Sequence, residues 1–192
     1  EKVFLLKDCL PDVPKQLDFL LTKTNQILIK VSPILDITSS IKELKFVSEI
    51  HIVAVQNEVK ELLFLVNKNV AKEIKIITIN ILSDKNQQFE FYSDSQITAN
   101  YEMPLSHLYE PNAAILKSGA FHQIAAEFNL FKLHKHSHLY TSNSLIDFPG
   151  RRFKIEQVLK YDKKILKKMI PENKANITIR NFPKTVAQIR KE

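Results

Sequence analysis

Residues 49–66 read EIHIVAVQNEVKELLFLV. Two apolar runs rich in β-formers, 49–55 and 59–66, flank the polar pair Gln56-Asn57. That is the pattern of two strands joined by a short turn. Just upstream, QILIKV at 26–31 is a further strand signal, closed by Ser32-Pro33. We expect the hairpin to lie at the edge of a sheet, with the 26–31 strand as its neighbour.

Helical patterns separate these strands. Leu17, Leu20 and Leu21 fall on one face of a helix over 16–22, and residues 36–40 supply candidate caps for a short helix over 41–44. The chain opens on a short apolar run, 3–6, and a turn between Pro11 and Pro14. After the hairpin, 75–82 and 88–92 read as another pair of strands around Asp84-Lys85-Asn86. Buried apolar strands alternating with helices predict a mostly parallel α/β sheet, the second half of a doubly wound architecture.

Beyond Tyr92 the pattern changes to α+β. Residues 94–102 are polar and loop-like. Pro111 suits the first turn of a helix, and Leu116, Ala120, Ile124 and Phe128 recur every four positions over 112–128. Strands are expected over 130–140, 152–158 and 175–180, with helices over 162–169 and from Pro183 onward. In the first of these helices Ile165, Leu166 and Met169 should face inward and the four lysines outward; in the last, Val186 and Ile189 should face inward.

The 192 residues, 44% hydrophobic and 26% charged, form an ordinary globular composition. A single cysteine, Cys9, allows no intrachain disulfide and fits a reducing cytoplasm. No apolar run approaches a membrane span. The only two glycines, Gly119 and Gly150, are too far apart for a phosphate- or dinucleotide-binding loop. A chain that starts at Glu1 is expected to be a fragment.

Charge is unevenly distributed. Residues 1–129 carry a balance of −3 and residues 130–192 a balance of +10, within a total of +7. A basic C-terminal third on a near-neutral body is the footprint of a nucleic-acid-binding module, or else a plain solvated lysine face. The candidate phosphate contacts are Arg151, Arg152, Lys154, Arg180 and Asn181, joined by Lys163, Lys164, Lys167 and Lys168. An arginine fork matches phosphate oxygens in pairs. Phe153 and Phe182 sit beside these positives; they are expected in the core, with base stacking as the alternative.

His134, His136 and His138 would share one face of a strand at a spacing of roughly 6.6 Å. Zinc–nitrogen bonds are only about 2.0 Å, so one ion cannot take all three, and no metal site is expected. His134 and His138 instead join the RNA-contact candidates, against the plainer reading of an inert surface. Cys9 as a nucleophile, and Ser32 with Asp36 as parts of a triad, lack any supporting context. Cys9 is expected to be packed. Glu110 and Asn112 read as helix caps, with a substrate contact as second choice.

Five strings taken together resemble one family: KVSPILDI (30–37), EIHIVAVQNEVKELL (49–63), LYEPNAAILKSGAF (108–121), SHLYTSN with FPGRRF (within 137–153) and NITIRNFP (176–183). The family is the class I S-adenosylmethionine-dependent methyltransferases with a THUMP-like C-terminal domain. The resemblance implies that residues 1–82 end a Rossmann-type methyltransferase sheet. Residues 83–130 would be a ferredoxin-like connection and 131–192 a THUMP-like basic domain. It also implies a cofactor loop and an Asp-Pro-x-Arg motif upstream of this chain and a further strand pair after Glu192. No catalytic or cofactor-binding residue is therefore carried over. S-adenosylmethionine is expected for the full-length parent and not for this fragment, with tRNA or rRNA as partner. Two readings follow: the RNA-recognition part of a methyltransferase, or a non-catalytic nucleic-acid-binding or scaffold domain.

Overall fold

The computed structural model describes residues 5–69 and 73–191; most of the apolar run 3–6 lies outside them. After a short 3-10 turn at Leu6–Asp8 come helix α1 (Val13–Leu20) and strand β1 (Gln26–Val31). Helix α2 (Ile37–Glu43) leads to β2 (Val47–Val55), β3 (Glu58–Asn67), β4 (Lys75–Ile81) and β5 (Asn86–Tyr92). These strands make one sheet in the order β1-β3-β2-β4-β5.

The hairpin forms as expected, and β1 pairs with β3. Two expectations are corrected. The hairpin lies inside the sheet, because β1 and β5 take its edges. The sheet is also mixed, since only β2 and β4 run parallel, while β1–β3, β2–β3 and β4–β5 are antiparallel. The helix–strand alternation was sound: β1 and β2 are both antiparallel to β3 and so run the same way, joined through α2. The tight turn then folds β3 back into the gap between them. Gln56 and Asn57 both take left-handed φ, 50° and 63°, the conformation that matches the twist of paired strands.

Alternation buries Ile50, Ile52 and Ala54 of β2 against Leu62, Phe64 and Val66 of β3. Leu17 and Leu21 of the α1 segment, with Leu35 and Ile37 around α2, complete this first core. Asp36 alone caps α2, accepting from the Ser39 amide at 2.7 Å, so the helix starts at Ile37 rather than Ile41. Cys9 is exposed rather than packed.

The second sheet comprises β6 (His107–Pro111), β7 (Phe131–Lys132), β8 (Tyr140–Ser142) and β9 (Gly150–Lys154), ordered β7-β8-β6-β9. Helices α3 (Ala113–Ser118) and α4 (Gln123–Glu127) contribute Ile115, Ile124 and Ala125 to its core with Tyr109, Tyr140 and Phe148. The single helix expected over 112–128 is broken at Gly119, which takes φ 76° as a left-handed cap. Pro111 ends β6 instead of opening the helix, because its backbone is paired to Gly150.

Past Lys154 the described residues form α5 (Lys163–Met169), a 3-10 turn at Pro171–Asn173 and α6 (Val186–Lys191). Ile165 and Met169 of α5 are exposed at 42% and 45%, not inward as expected. Only Leu166 is half-buried, because α5 packs against a groove and not a closed core. Residues 175–180 form no regular element in place of the expected strand; Ile177 and Ile179 are half-buried, and no strand among the described residues pairs with them. No helix among the described residues is long and apolar enough to cross a membrane.

Candidate nucleic-acid interface

The string LYEPNAAILKSG is the joint from which the site is built. Asn112 caps α3 by accepting from the Ile115 amide at 3.1 Å. Its amide nitrogen reaches Gln87 of β5 at 3.1 Å, and Gln87 also accepts from Asn80 of β4. The Asn57 side chain of the β2–β3 turn accepts from the Ala113 amide at 2.8 Å. Ala114 packs into the first core and Ile115 into the second. Lys117 donates to the Leu35 carbonyl at 2.8 Å, and burial holds its pKa below the usual lysine range. One short helix thus locks both sheets together.

Glu110 is not a cap. It sits in β6 opposite Arg151 of β9, with its side chain only 9% exposed. Its Oε2 accepts from Arg151 Nε at 2.8 Å and also from Arg151 Nη2. Its Oε1 accepts from Arg180 Nη2. Two arginines far apart in sequence therefore converge on one carboxylate. The sequence signal for this was available: Asn112 is the better cap, which leaves Glu110 outside the helix.

Arg180 is the first of two anchors that tie this C-terminal segment to the second-sheet body. Arg180 Nη1 also donates to its neighbour, the Ile179 carbonyl, at 2.9 Å. Asn181, at φ 49°, donates to the His136 carbonyl at 3.0 Å. Tyr161 and Phe182 pack with ring centroids 5.1 Å apart.

The expected strand over 130–140 is instead a loop between β7 and β8. Lys132 is fully buried, its ammonium donating to the Ser137 carbonyl at 2.9 Å across the loop. It lies over the rings of Phe121 and Tyr140, 5.6 and 5.1 Å from their centroids. Burial holds its pKa below the usual lysine range, and the same burial raises that of Tyr140. Closing the loop takes the three histidines off a common face. His134 and His136 are exposed, whereas His138 stacks on Phe121 at 3.6 Å. Burial, Lys132 and Arg180 lower the His138 pKa below 6.5. Among the described residues, no three or more His, Cys, Asp or Glu gather as a metal site.

Successive residues of β9 point to opposite faces. Arg151 goes to Glu110, while Arg152 bonds Asp147 at 3.2 Å and the Ile146 carbonyl at 3.3 Å. Lys154 is exposed and pairs with Glu156 at 3.2 Å. Phe153, expected in the core, is 44% exposed, and the Arg151 guanidinium lies 5.6 Å from its ring centroid. Phe182 is likewise outside both cores, at 36% exposure.

Lys163, Lys164, Lys167 and Lys168 are all exposed on α5. Lys163 and Lys167 line a groove of about 570 Å³, with Leu166 and Ile170 on its α5 wall and Ile189 and Arg190 on the α6 side. An apolar floor with a basic rim can take a base face and its phosphate together. So the structure gathers Arg151, Arg180, Asn181 and His138 at one seam, sets Lys163 and Lys167 along a separate groove with Lys164 and Lys168 exposed elsewhere on α5, and turns Arg152 away from both.

Residues 107–149 match the family model of a ferredoxin-like domain, and residues 150–192 match that of a THUMP domain-like segment. A solved structure described as a "putative methyltransferase from Porphyromonas gingivalis W83" is similar to this chain. The TM-score is 0.90 at 36% identity, over 98% of this chain and 49% of that one. The chain spans about half the length of that protein. None of the curated proteins matches it.

Proposed function

We propose that this chain is the substrate-recognition part of an S-adenosylmethionine-dependent RNA methyltransferase. In this reading its basic C-terminal region grips structured RNA, transfer or ribosomal. The observation that carries the reading is Arg151 lying over the exposed Phe153, with Arg180 at its side, in and beside a THUMP-like segment. Guanidinium and aromatic faces presented together to solvent suit phosphate and base at once.

The methyltransferase half of the proposal rests on the likeness to the Porphyromonas gingivalis protein and on β1. Its outer edge has no partner among the described residues, and Leu28 on it is 61% exposed. In this reading the first sheet is the end of a longer Rossmann-type sheet that continues across that edge. The residues described here do not fit the cofactor themselves. Gly119 caps a helix, and a Cβ on Gly150 would meet the Glu110 carbonyl at 2.1 Å, so both glycines serve the chain's own packing. We therefore derive no methyl-transfer step from this chain. Calorimetry of the 192-residue chain should show no micromolar S-adenosylmethionine binding; stoichiometric binding would overturn that part.

The RNA reading is tested by a gel-shift titration comparing the chain with an Arg151→Ala/Arg180→Ala variant. Weaker binding by the variant supports the reading, equal binding removes both arginines from the site, and no binding by either ends it. In the alternative, a non-catalytic nucleic-acid-binding or scaffold domain, the longer protein containing this chain would carry no glycine-rich cofactor loop.

A further inference from the structure

We infer that Glu110 is a positioning residue for RNA, a buried carboxylate that holds Arg151 and Arg180 as one preformed fork for a backbone phosphodiester. The inference rests on the RNA reading above. Each Glu110 oxygen is engaged by a different arginine, and the carboxylate sits on β6 where its own strand cannot shift. One guanidinium would neutralise it, so the second leaves the cluster at net +1. That excess faces solvent: the Arg151 and Arg180 side chains are 59% and 42% exposed.

The donor count points the same way. A guanidinium has five N–H groups. Arg151 gives Nε and one Nη2 hydrogen to Glu110; Arg180 gives one Nη1 hydrogen to Ile179 and one Nη2 hydrogen to Glu110. The remaining three on each have no partner among the described residues. Arg151 is further oriented by Phe153 beneath it. A flexible arginine must be ordered when it binds phosphate; here Glu110 has ordered two in advance, which removes that cost from binding.

This makes a prediction whose sign opposes simple electrostatics. Glu110→Gln removes a negative charge, so a charge-only surface would bind RNA more tightly. The positioning role predicts binding about tenfold weaker, because the fork is released. The probes are unfractionated transfer RNA and a ribosomal RNA hairpin, titrated by fluorescence anisotropy, with thermal melting to check the fold. A second variant, Arg180→Lys, changes only an exposed side chain and keeps the charge while losing the fork. It should bind about five- to tenfold more weakly, since a lysine cannot make the same paired contacts.

Equal or tighter binding by a folded Glu110→Gln variant overturns the inference. If Glu110→Gln does not fold, Arg180→Lys decides, and unchanged affinity overturns it. Failure of the unaltered chain to bind either RNA removes the RNA reading and this inference together. Wild-type binding with unaffected variants removes the inference alone.

Discussion

Gly150 and Gly119 show how differently two glycines can matter. At Gly150 the crowding is against backbone: an added Cβ would meet the Glu110 carbonyl at 2.1 Å and Pro111 Cα at 2.9 Å. Gly150→Ala must push β9 from β6 and should cost about 2–3 kcal/mol, the upper range for overpacking. At Gly119 there is open space, and only the φ of 76° matters. Gly119→Ala should cost about 1 kcal/mol, the strain of a left-handed residue. Urea denaturation of the two variants gives both numbers, and the order Gly150 above Gly119 is the test.

His138 gives a pH dependence of definite sign. Its folded pKa lies below 6.5 because of burial, Lys132 and Arg180. As pH falls below 6.5 the unfolded chain takes the proton first, so stability drops until the folded pKa is reached. His138→Phe keeps a ring against Phe121 and removes the titration. Melting at pH 7.5 and 5.5 should show a smaller acid loss for the variant than for the wild type.

At the scale of elements, α3 carries more than its six residues suggest. Asn112 both caps the helix and hydrogen-bonds Gln87 of the first sheet. Asn112→Ala should destabilise by about 2 kcal/mol, the upper end for a lost cap, because the part-buried Gln87 contact goes with it. Asp36→Ala, a cap on a more exposed helix, should cost about 1 kcal/mol. Comparison of the two melting shifts checks whether α3 acts as the joint.

The elements most legible in the sequence were those with strict alternation. Residues 26–31 and 49–66 read correctly as strands because side chains at Ile50, Ile52 and Ala54 see only one core. Sheet direction was not legible, since insertion of β3 between β1 and β2 is a tertiary choice. The break in the helix over 112–128 was not legible because the four-residue spacing of Leu116, Ala120, Ile124 and Phe128 runs straight through Gly119, whose left-handed φ shows only in the structure. The histidine loop was misread as strand because the buried Lys132, which clamps the loop, looks like any other surface lysine in sequence. Phe153 and Phe182 were misplaced for the converse reason: an apolar residue beside arginines has no sequence mark of exposure. The arginines and lysines were legible as a group, but their sorting was not. Which of Arg151 and Arg152 faces Glu110 depends on the register of β9 against β6.

At the scale of the whole molecule, a near-neutral two-sheet body carries a basic C-terminal region that is tied down at few points. Arg180 and Asn181 are the ties, and both are themselves candidate RNA contacts. Binding and ordering of that region are therefore coupled: an RNA that grips the fork also stabilises its attachment. The most direct measurement of the central claim is the salt dependence of structured RNA binding to the 192-residue chain, by anisotropy between 50 and 300 mM salt. Each contacted phosphate contributes a slope of about −0.7 to −0.9 in log K against log salt. The account predicts a slope near −3 for the wild type and a reduction of about 1 in Arg151→Ala/Arg180→Ala, with Arg152→Ala near the wild-type value. A slope near zero, or one unchanged by the double substitution, would contradict it.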